Sequence, residues 1–455
     1  MGAGTFVQRQ LHPESIDDRQ CDERIAPYLR RTLGRDYRKR LKLLEDEKKQ
    51  EVERMAFDTL TTTLLRQTHS KRQLFERATQ FWHHHFNVFF GKEDAFAAVF
   101  TDWDAAIRSH ALGNFRAMLE ATARHPVMLI YLDNAQSTVA GPNENYAREL
   151  LELHTLGAMH YQKEGGYADD DVYEVSRCFT GWSIEDDVGS AKFGTFNYNH
   201  ETHDRFQKIV LGESIPRDQK PMADGLQVLD RLASHPGTAK YIATKLCTHF
   251  ISDNPPDSIV ESTAAVFLKA IRAPDQIALT LAHIFESESF LESAQMKFKT
   301  PHEWMISMFR ILEMEIPESE EFQLGEIMEI LGDPLFHWRT PDGPPDNAES
   351  WVTTNSLLYR WRIPIELAQG AYADAGFKIS TAEITPKEMK TPQAISDWWT
   401  RRLLGARVRP ETAHALALFL ADGQSLGRPM PREKIRERVP TLVALAVTSP
   451  EFNRR

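Results

Sequence analysis

Apolar residues recur at three- and four-residue intervals along most of the chain, the period of an amphipathic helix. Leu41, Leu43, Leu44, Val52, Met55, Leu60, Leu64 and Leu65 form such a stripe, predicting a helix over 37–66. Further helices are expected at 71–90, at 102–125 with Gly113 in its middle, and from Pro126 to Leu132, because proline suits a first helical position. The pattern resumes at 222–234, 236–252, 257–271, 274–286, 301–313, 349–361, 393–403, 410–421 and 431–448. Between Gly181 and Gly212 it gives way to glycines, aromatics and alternation, the mark of a loop or small hairpin. The expectation is an all-α fold: a single large multi-helix domain with a small irregular or β-hairpin insertion near 190–212. Residues 331–348, rich in Pro, Gly and Asp, read as a long loop between a core over 30–330 and C-terminal helices over 349–455 packed on it.

One segment concentrates polar chemistry. Pro142 to His154 starts with Asn143, a suitable N-cap, and continues as a helix. At 100° per residue, taking Asn145 as zero, Glu149 falls at about 40°, Glu152 at about −20°, Arg148 at about −60° and Glu144 at about −100°. Those five share one side, and Tyr146, Ala147, Leu150, Leu151 and Leu153 share the other. By spacing alone this is most often a solvated face laced with i,i+4 ion pairs. If the helix is buried on both sides, paired carboxylates such as Glu144 and Glu149 can divide acid and base roles, tuned by Arg148.

A second segment, Phe81-Trp82-His83-His84-His85-Phe86, lies late in the 71–90 helix. Phe75, Ala78, Trp82, His85 and Phe89 share a stripe, so His85 faces the core. His83 and His85 diverge by two residues and cannot easily chelate one ion, and this helix carries neither H-E-x-x-H nor E-x-x-H. A divalent metal would have to be assembled across helices, from one of these histidines with Glu149 or Glu152.

Composition narrows the classes. The chain is 42% hydrophobic and 26% charged, the values of a globular protein with a real core. A net charge of −11 argues against nucleic acid as the main partner, and the local basic run at Arg30-Arg31 and 35–42 reads as a solvated helix face. Cys21, Cys178 and Cys247 are too few and too far apart for a disulfide framework or a metal knuckle. No stretch has the apolar length of a membrane span, and the chain opens without a signal-peptide pattern. Phosphate loops, nucleophile elbows and dinucleotide fingerprints are all missing, which disfavours P-loop, serine-hydrolase and Rossmann chemistry.

Taken together, several strings resemble a bacterial family known only as domain of unknown function 1800. They are 81–86, 111–116, 125–134, 142–157, Phe179-Thr180-Gly181-Trp182, His203-Asp204 with Lys208 and Gly212, Lys245-Leu246, Phe298-Lys299-Thr300-Pro301 and Ser449-Pro450-Glu451-Phe452. The resemblance covers nearly the whole chain and implies one continuous domain over 1–455. In the family's histidine string the middle position varies, which sets His84 aside. Around Leu335 to Trp351 the chain departs from the family pattern, carrying Phe336-His337-Trp338-Arg339-Thr340-Pro341-Asp342-Gly343 instead. Family members often look exported and are encoded beside a sulfatase-like exported protein. That implies a periplasmic or extracellular setting and such a protein as partner.

The strings place polar residues in turns: Asp133, Asn134, Asn143, Asn145, Trp182, His203, Asp204 and Lys208 are the candidates for ligand binding. Trp182 is either a stacking platform or a core tryptophan, and His203 with Asp204 either an oriented base or a local turn. Two functions compete. One is a hydrolase or lyase acting on a polar, carbohydrate-like polymer, with Glu144, Glu149, Arg148, His83 and His85 as catalytic candidates. The other is a non-catalytic helical scaffold that binds an exported partner.

Overall fold

Helices dominate the computed structural model, which describes residues 2–34, 36, 39–42, 49–93, 95–316, 324–372, 381–405 and 408–455. Part of the expected 37–66 helix, including Leu43 and Leu44, lies outside them. The chain divides into two compact units. The first comprises Met1–Arg66, Ser70–Glu292 and Phe336–Pro344; the second comprises Gln67–His69, Ser293–Leu335 and Pro345–Arg455. Residues 293–330, grouped by sequence with the preceding core, thus cluster with the C-terminal helices, as do 331–335 of the expected loop, and 336–344 cluster with the first unit.

The first unit holds α1 (Ala3–Leu11), α2 (Arg19–Tyr28), most of α3 (Lys49–His69), α4 (Gln73–His85), α5 (Ala95–Arg108), α6 (Phe115–Ala123), α7 (Pro126–Tyr131), α8 (Glu144–Glu149) and α9 (Asp169–Phe179). After two hairpins come α10 (Ala223–Ser234), α11 (Pro236–Phe250), α12 (Asp257–Lys269) and α13 (Gln276–Glu286). Their apolar stripes meet in one core that includes Trp82, Phe86, Phe115, Tyr146, Leu150, Phe179 and Trp182. The helix expected over 102–125 is two helices. Asn114 ends the turn at Gly113 and caps α6, accepting from the Ala117 amide at 3.2 Å while its amide nitrogen donates to the carbonyls of Ile271 and Ala273 at 2.9 Å. A side chain that satisfies both a helix start and a distant loop outweighs the continuous apolar period.

The expected insertion is two antiparallel hairpins. Strands β1 (Trp182–Ile184) and β2 (Phe196–Tyr198) pair with Trp182 opposite Tyr198; β3 (Lys208–Val210) and β4 (Glu213–Ile215) pair with Lys208 opposite Ile215. The outward amides of the second hairpin are taken by side chains of α9. Ile209 N–H donates to Glu174 at 2.8 Å and Leu211 N–H to Asp171 at 2.6 Å.

The second unit holds α14 (Pro301–Ile311), α15 (Thr354–Ala368), α16 (Pro392–Leu404), α17 (Pro410–Ala421) and α18 (Arg432–Thr448), with α15 packed on α18 and α16 on α17. The helix expected at 349–361 is interrupted at Val352–Thr353, where Thr353 caps α15. Two of the family-like strings meet here. Phe298 bridges Arg454, Lys299 N–H donates to the Asn453 carbonyl at 2.9 Å, and buried Arg360 donates to both Asn453 Oδ1 and the Lys299 carbonyl at 2.9 Å. Thr300 and Glu303 close a reciprocal cap on α14. Those strings build structure. Among the described residues no helix is long and apolar enough to cross a membrane.

Candidate functional site

Helix α8 begins as its sequence predicts. Asn143 Oδ1 accepts from the Asn145 amide at 2.9 Å, and Tyr146, Ala147, Leu150 and Leu151 are buried. At Leu150 the ladder widens into a π-helical turn through Thr155, whose hydroxyl donates to the Leu150 carbonyl at 2.6 Å. Such turns insert a residue and shift every side chain after them. The polar face splits in two. Arg148 joins Glu144 at 3.2 Å and Asp169 at 3.3 Å, with side chains 40%, 44% and 63% exposed respectively, so this part is a solvated ion-pair chain. Glu149 and Glu152 are partly buried, and neither makes a hydrogen bond or ion pair among the described residues.

The loop 336–344 supplies a third carboxylate to Glu149's surroundings. Phe90 N–H donates to the Phe336 carbonyl at 2.8 Å, Asn87 Nδ2 to the carbonyls of Trp338 and Thr340 at 3.0 and 2.7 Å, and Tyr131 Oη to that of Arg339 at 2.8 Å. Gly343, at φ +74°, lies so near the His84 carbonyl that a Cβ there would stand 2.2 Å from the oxygen. The Thr340 hydroxyl, itself accepting from Trp338 Nε1 at 3.0 Å, donates to Asp342.

Electrostatics tie these groups together. Burial, then Glu152 and Asp342, push the Glu149 carboxyl up to about 7, with Arg148 opposing. Burial, then Glu149 and Asp342, push Tyr131 to about 12; burial, then Glu152 and Asp342, do the same for Tyr241. Tyr167 is raised by burial and then Glu152, and its buried hydroxyl has no hydrogen-bond partner among the described residues. Glu152 and Asp342 thus act on Glu149, and at least one of the three carboxyl groups acts on each of the phenols of Tyr131, Tyr167 and Tyr241.

Behind the π-helical turn lie two neutral imidazoles. His85 Nε2 donates to the His154 carbonyl at 3.1 Å, while His85 Nδ1 and His154 Nε2 are buried without partners among the described residues. Burial, then Lys245, holds both well below the usual histidine range, His154 at about 3. Phe86 packs on His154 with ring centres 5.1 Å apart. His83 belongs elsewhere. Its Nε2 lies 3.0 Å from Asp104, which also takes Arg108, and Arg108 grips both oxygens of Glu76 at 2.9 Å. That closed network does not include Glu149.

The remaining candidates scatter. Asp133, at φ +59°, takes Lys92 at 3.1 Å and the Asn145 amide at 3.1 Å, and Lys92 also donates to the Tyr131 carbonyl at 2.6 Å. Asn134 Nδ2 donates to the carbonyls of Phe179 and Trp182, both at 3.2 Å, tying α7 to β1. Trp182 is fully buried between Phe179 and Phe196, with Gly225 against its ring, which makes it a core residue and removes it as a stacking platform. His203 Nδ1 lies 2.8 Å from the Thr180 carbonyl and its Nε2 3.3 Å from Asp224. Fully buried Lys208 reaches Asp224 at 2.6 Å and the Phe206 carbonyl at 2.9 Å, while Asp204 receives Arg177 at 2.8 Å. Burial opposes ionisation of Asp204 and Asp224, yet Arg177 at the first, and His203 with Lys208 at the second, lower both carboxyls. These residues form a satisfied network that fixes the second hairpin on α9 and α10.

Sequence reasoning ranked Glu144 beside Glu149; the structure separates them and brings Glu152 and Asp342 to Glu149 instead. Glu152, three residues on, carries its own spacing signal. Asp342 carries none, since nearly two hundred residues intervene. Among the described residues no group of three or more His, Cys, Asp and Glu side chains is placed to hold a metal ion.

The chain belongs to a family described as a protein of unknown function (DUF1800), whose model matches residues 1–454. No curated protein and no solved structure matches it.

Proposed function

We propose that the region around Glu149 is an acid–base site of a hydrolase or lyase acting on a polar, carbohydrate-like polymer. The observation that carries this reading is a partly buried, unpartnered carboxyl flanked by two further carboxylates, one from a π-helical turn and one from a pinned loop. Glu149, protonated to a substantial extent near neutral pH, donates a proton to the leaving oxygen. Asp342 or Glu152 activates the attacking water or stabilises the positive charge that builds on the sugar ring. Arg148 restrains the rise of Glu149 and anchors the outer face through Glu144 and Asp169. His85, neutral in the core, supports the π-helical turn through the His154 carbonyl.

The test is hydrolysis or elimination by the full chain on a panel of polysaccharides, read as new reducing ends and as ultraviolet absorbance of unsaturated products. Glu149→Gln should lose at least about a hundredfold in rate, the size of one general-acid contribution, while Glu144→Gln keeps its rate. Equal rates for Glu149→Gln and the parent overturn the reading.

The second reading, a non-catalytic scaffold for an exported partner, is favoured by the closed networks at His83–Asp104–Arg108–Glu76 and at His203–Asp224–Lys208. Such networks fix how helices and hairpins register. Retention of partner binding by Glu149→Gln, with no turnover on any polymer, supports it.

A further inference from the structure

We infer that the site around Glu149 recognises an ammonium-bearing saccharide, a polymer of amino sugars, in preference to a neutral or anionic chain; the inference rests on the acid–base reading and names its substrate class. Charge is the first argument. Among the described residues Glu149 and Glu152 have no ion-pair partner, and Asp342 takes the Thr340 hydroxyl alone. The nearby cations are engaged. Arg148 serves Glu144 and Asp169, and Lys92 serves Asp133 and two carbonyls. Lys245 lies over the Tyr241 ring at 5.6 Å, on the side of His85 and His154. Even with Glu149 protonated, Glu152 and Asp342 leave an anionic wall that repels uronates and sulfated chains.

The second argument is a buried hydroxyl. Tyr167 is 2% exposed, its hydroxyl has no hydrogen-bond partner among the described residues, and Glu152 acts on it with Arg148 opposing. A buried hydroxyl without a partner is costly, and a ligand amine or hydroxyl would satisfy it. The third argument concerns size. Among the described residues these carboxyl groups form no cluster placed to hold a metal ion. Carboxyl groups coupled electrostatically to the phenols of Tyr131, Tyr167 and Tyr241 suit a larger organic cation, held by charge and by hydrogen bonds.

The test is calorimetric titration of the full chain with a glucosamine tetramer, its N-acetylated counterpart and a galacturonate tetramer, at about pH 6, where amines are protonated. The glucosamine tetramer should bind at least about tenfold tighter than the acetylated one, and added salt should erode the difference. Glu152→Gln and Asp342→Asn should each weaken it about tenfold, with melting temperatures showing that both variants fold. Tyr167→Phe should weaken it less, through one lost hydrogen bond. Equal binding of the acetylated or galacturonate tetramer, no saturable binding of the amine, or indifference to both carboxylate substitutions overturns the inference. The two readings fail separately. An amine oligomer that binds tightly but is never cleaved removes the acid–base reading alone, and Glu149-dependent cleavage of neutral chains without amine binding removes this inference alone.

Discussion

The hydroxyl of Tyr131 donates to the carbonyl oxygen of Arg339 at 2.8 Å, joining the end of α7 to the loop that carries Asp342. Tyr131→Phe removes this bond and leaves the ring in place. A loss of about 1 kcal/mol is expected, the net worth of one hydrogen bond. If Asp342 then moves outward, the Glu149 carboxyl titrates nearer the ordinary glutamate range, which carboxyl-carbon NMR would register. An unmoved Glu149 titration shows that Asn87 and Phe90 suffice to hold the loop.

Glu149 also sets a pH dependence. Its carboxyl is raised from 4.5 to about 7, so folding favours the protonated form. The stability it contributes is complete below 4.5 and lost as pH rises through 7. Glu149→Gln, always neutral, should match the parent at about pH 4 and exceed it at about pH 8 by roughly 1 kcal/mol, after allowance for solvent screening. Thermal melts at both pH values check this; an unchanged difference between them refutes the raised carboxyl.

Lys208 is fully buried against Asp224. Lys208→Met keeps the length and removes the charge, leaving Asp224 with His203 and Gln219. A loss of about 3 kcal/mol is expected in denaturant unfolding, because breaking a buried pair strands its partner. Since the native carboxyl of Asp224 is lowered, its contribution is present above the ordinary carboxylate range and fades as pH falls through the native value. The penalty should therefore shrink in acid.

Glu144 offers the contrast. Its pair with Arg148 is solvated, so Glu144→Gln should cost less than about 0.5 kcal/mol and leave any turnover intact. A large loss of rate with stability preserved would return Glu144 to the reacting groups.

Much of this was legible from residue order. The stripe from Phe75 to His85, the cap at Asn143 and the apolar face of Tyr146, Ala147 and Leu150 follow from period and capping chemistry alone. What escaped has physical reasons. A fixed 100° step fails at Leu150, because a π-helical turn is specified by packing around Thr155 and not by spacing. Gly113 and Asn114 sit within an apolar period, yet the distant carbonyls of Ile271 and Ala273 decide that the helix stops. Trp182 and His203 have the composition of binding residues, and only their neighbours show them to be core and network. The loop that carries Asp342 is held by anchors at Asn87, Phe90 and Tyr131, which no local pattern announces.

The side chains of Glu174 and Asp171 on the outward amides of Ile209 and Leu211 have an effect beyond the hairpin. A strand border with open donors invites a foreign strand to zip alongside it, the first step of fibril growth. Here two acids already occupy those donors, and an incoming backbone would have to displace both while meeting their charge. Ile209 can therefore stand exposed to water without turning the molecule into a seed for its own aggregation.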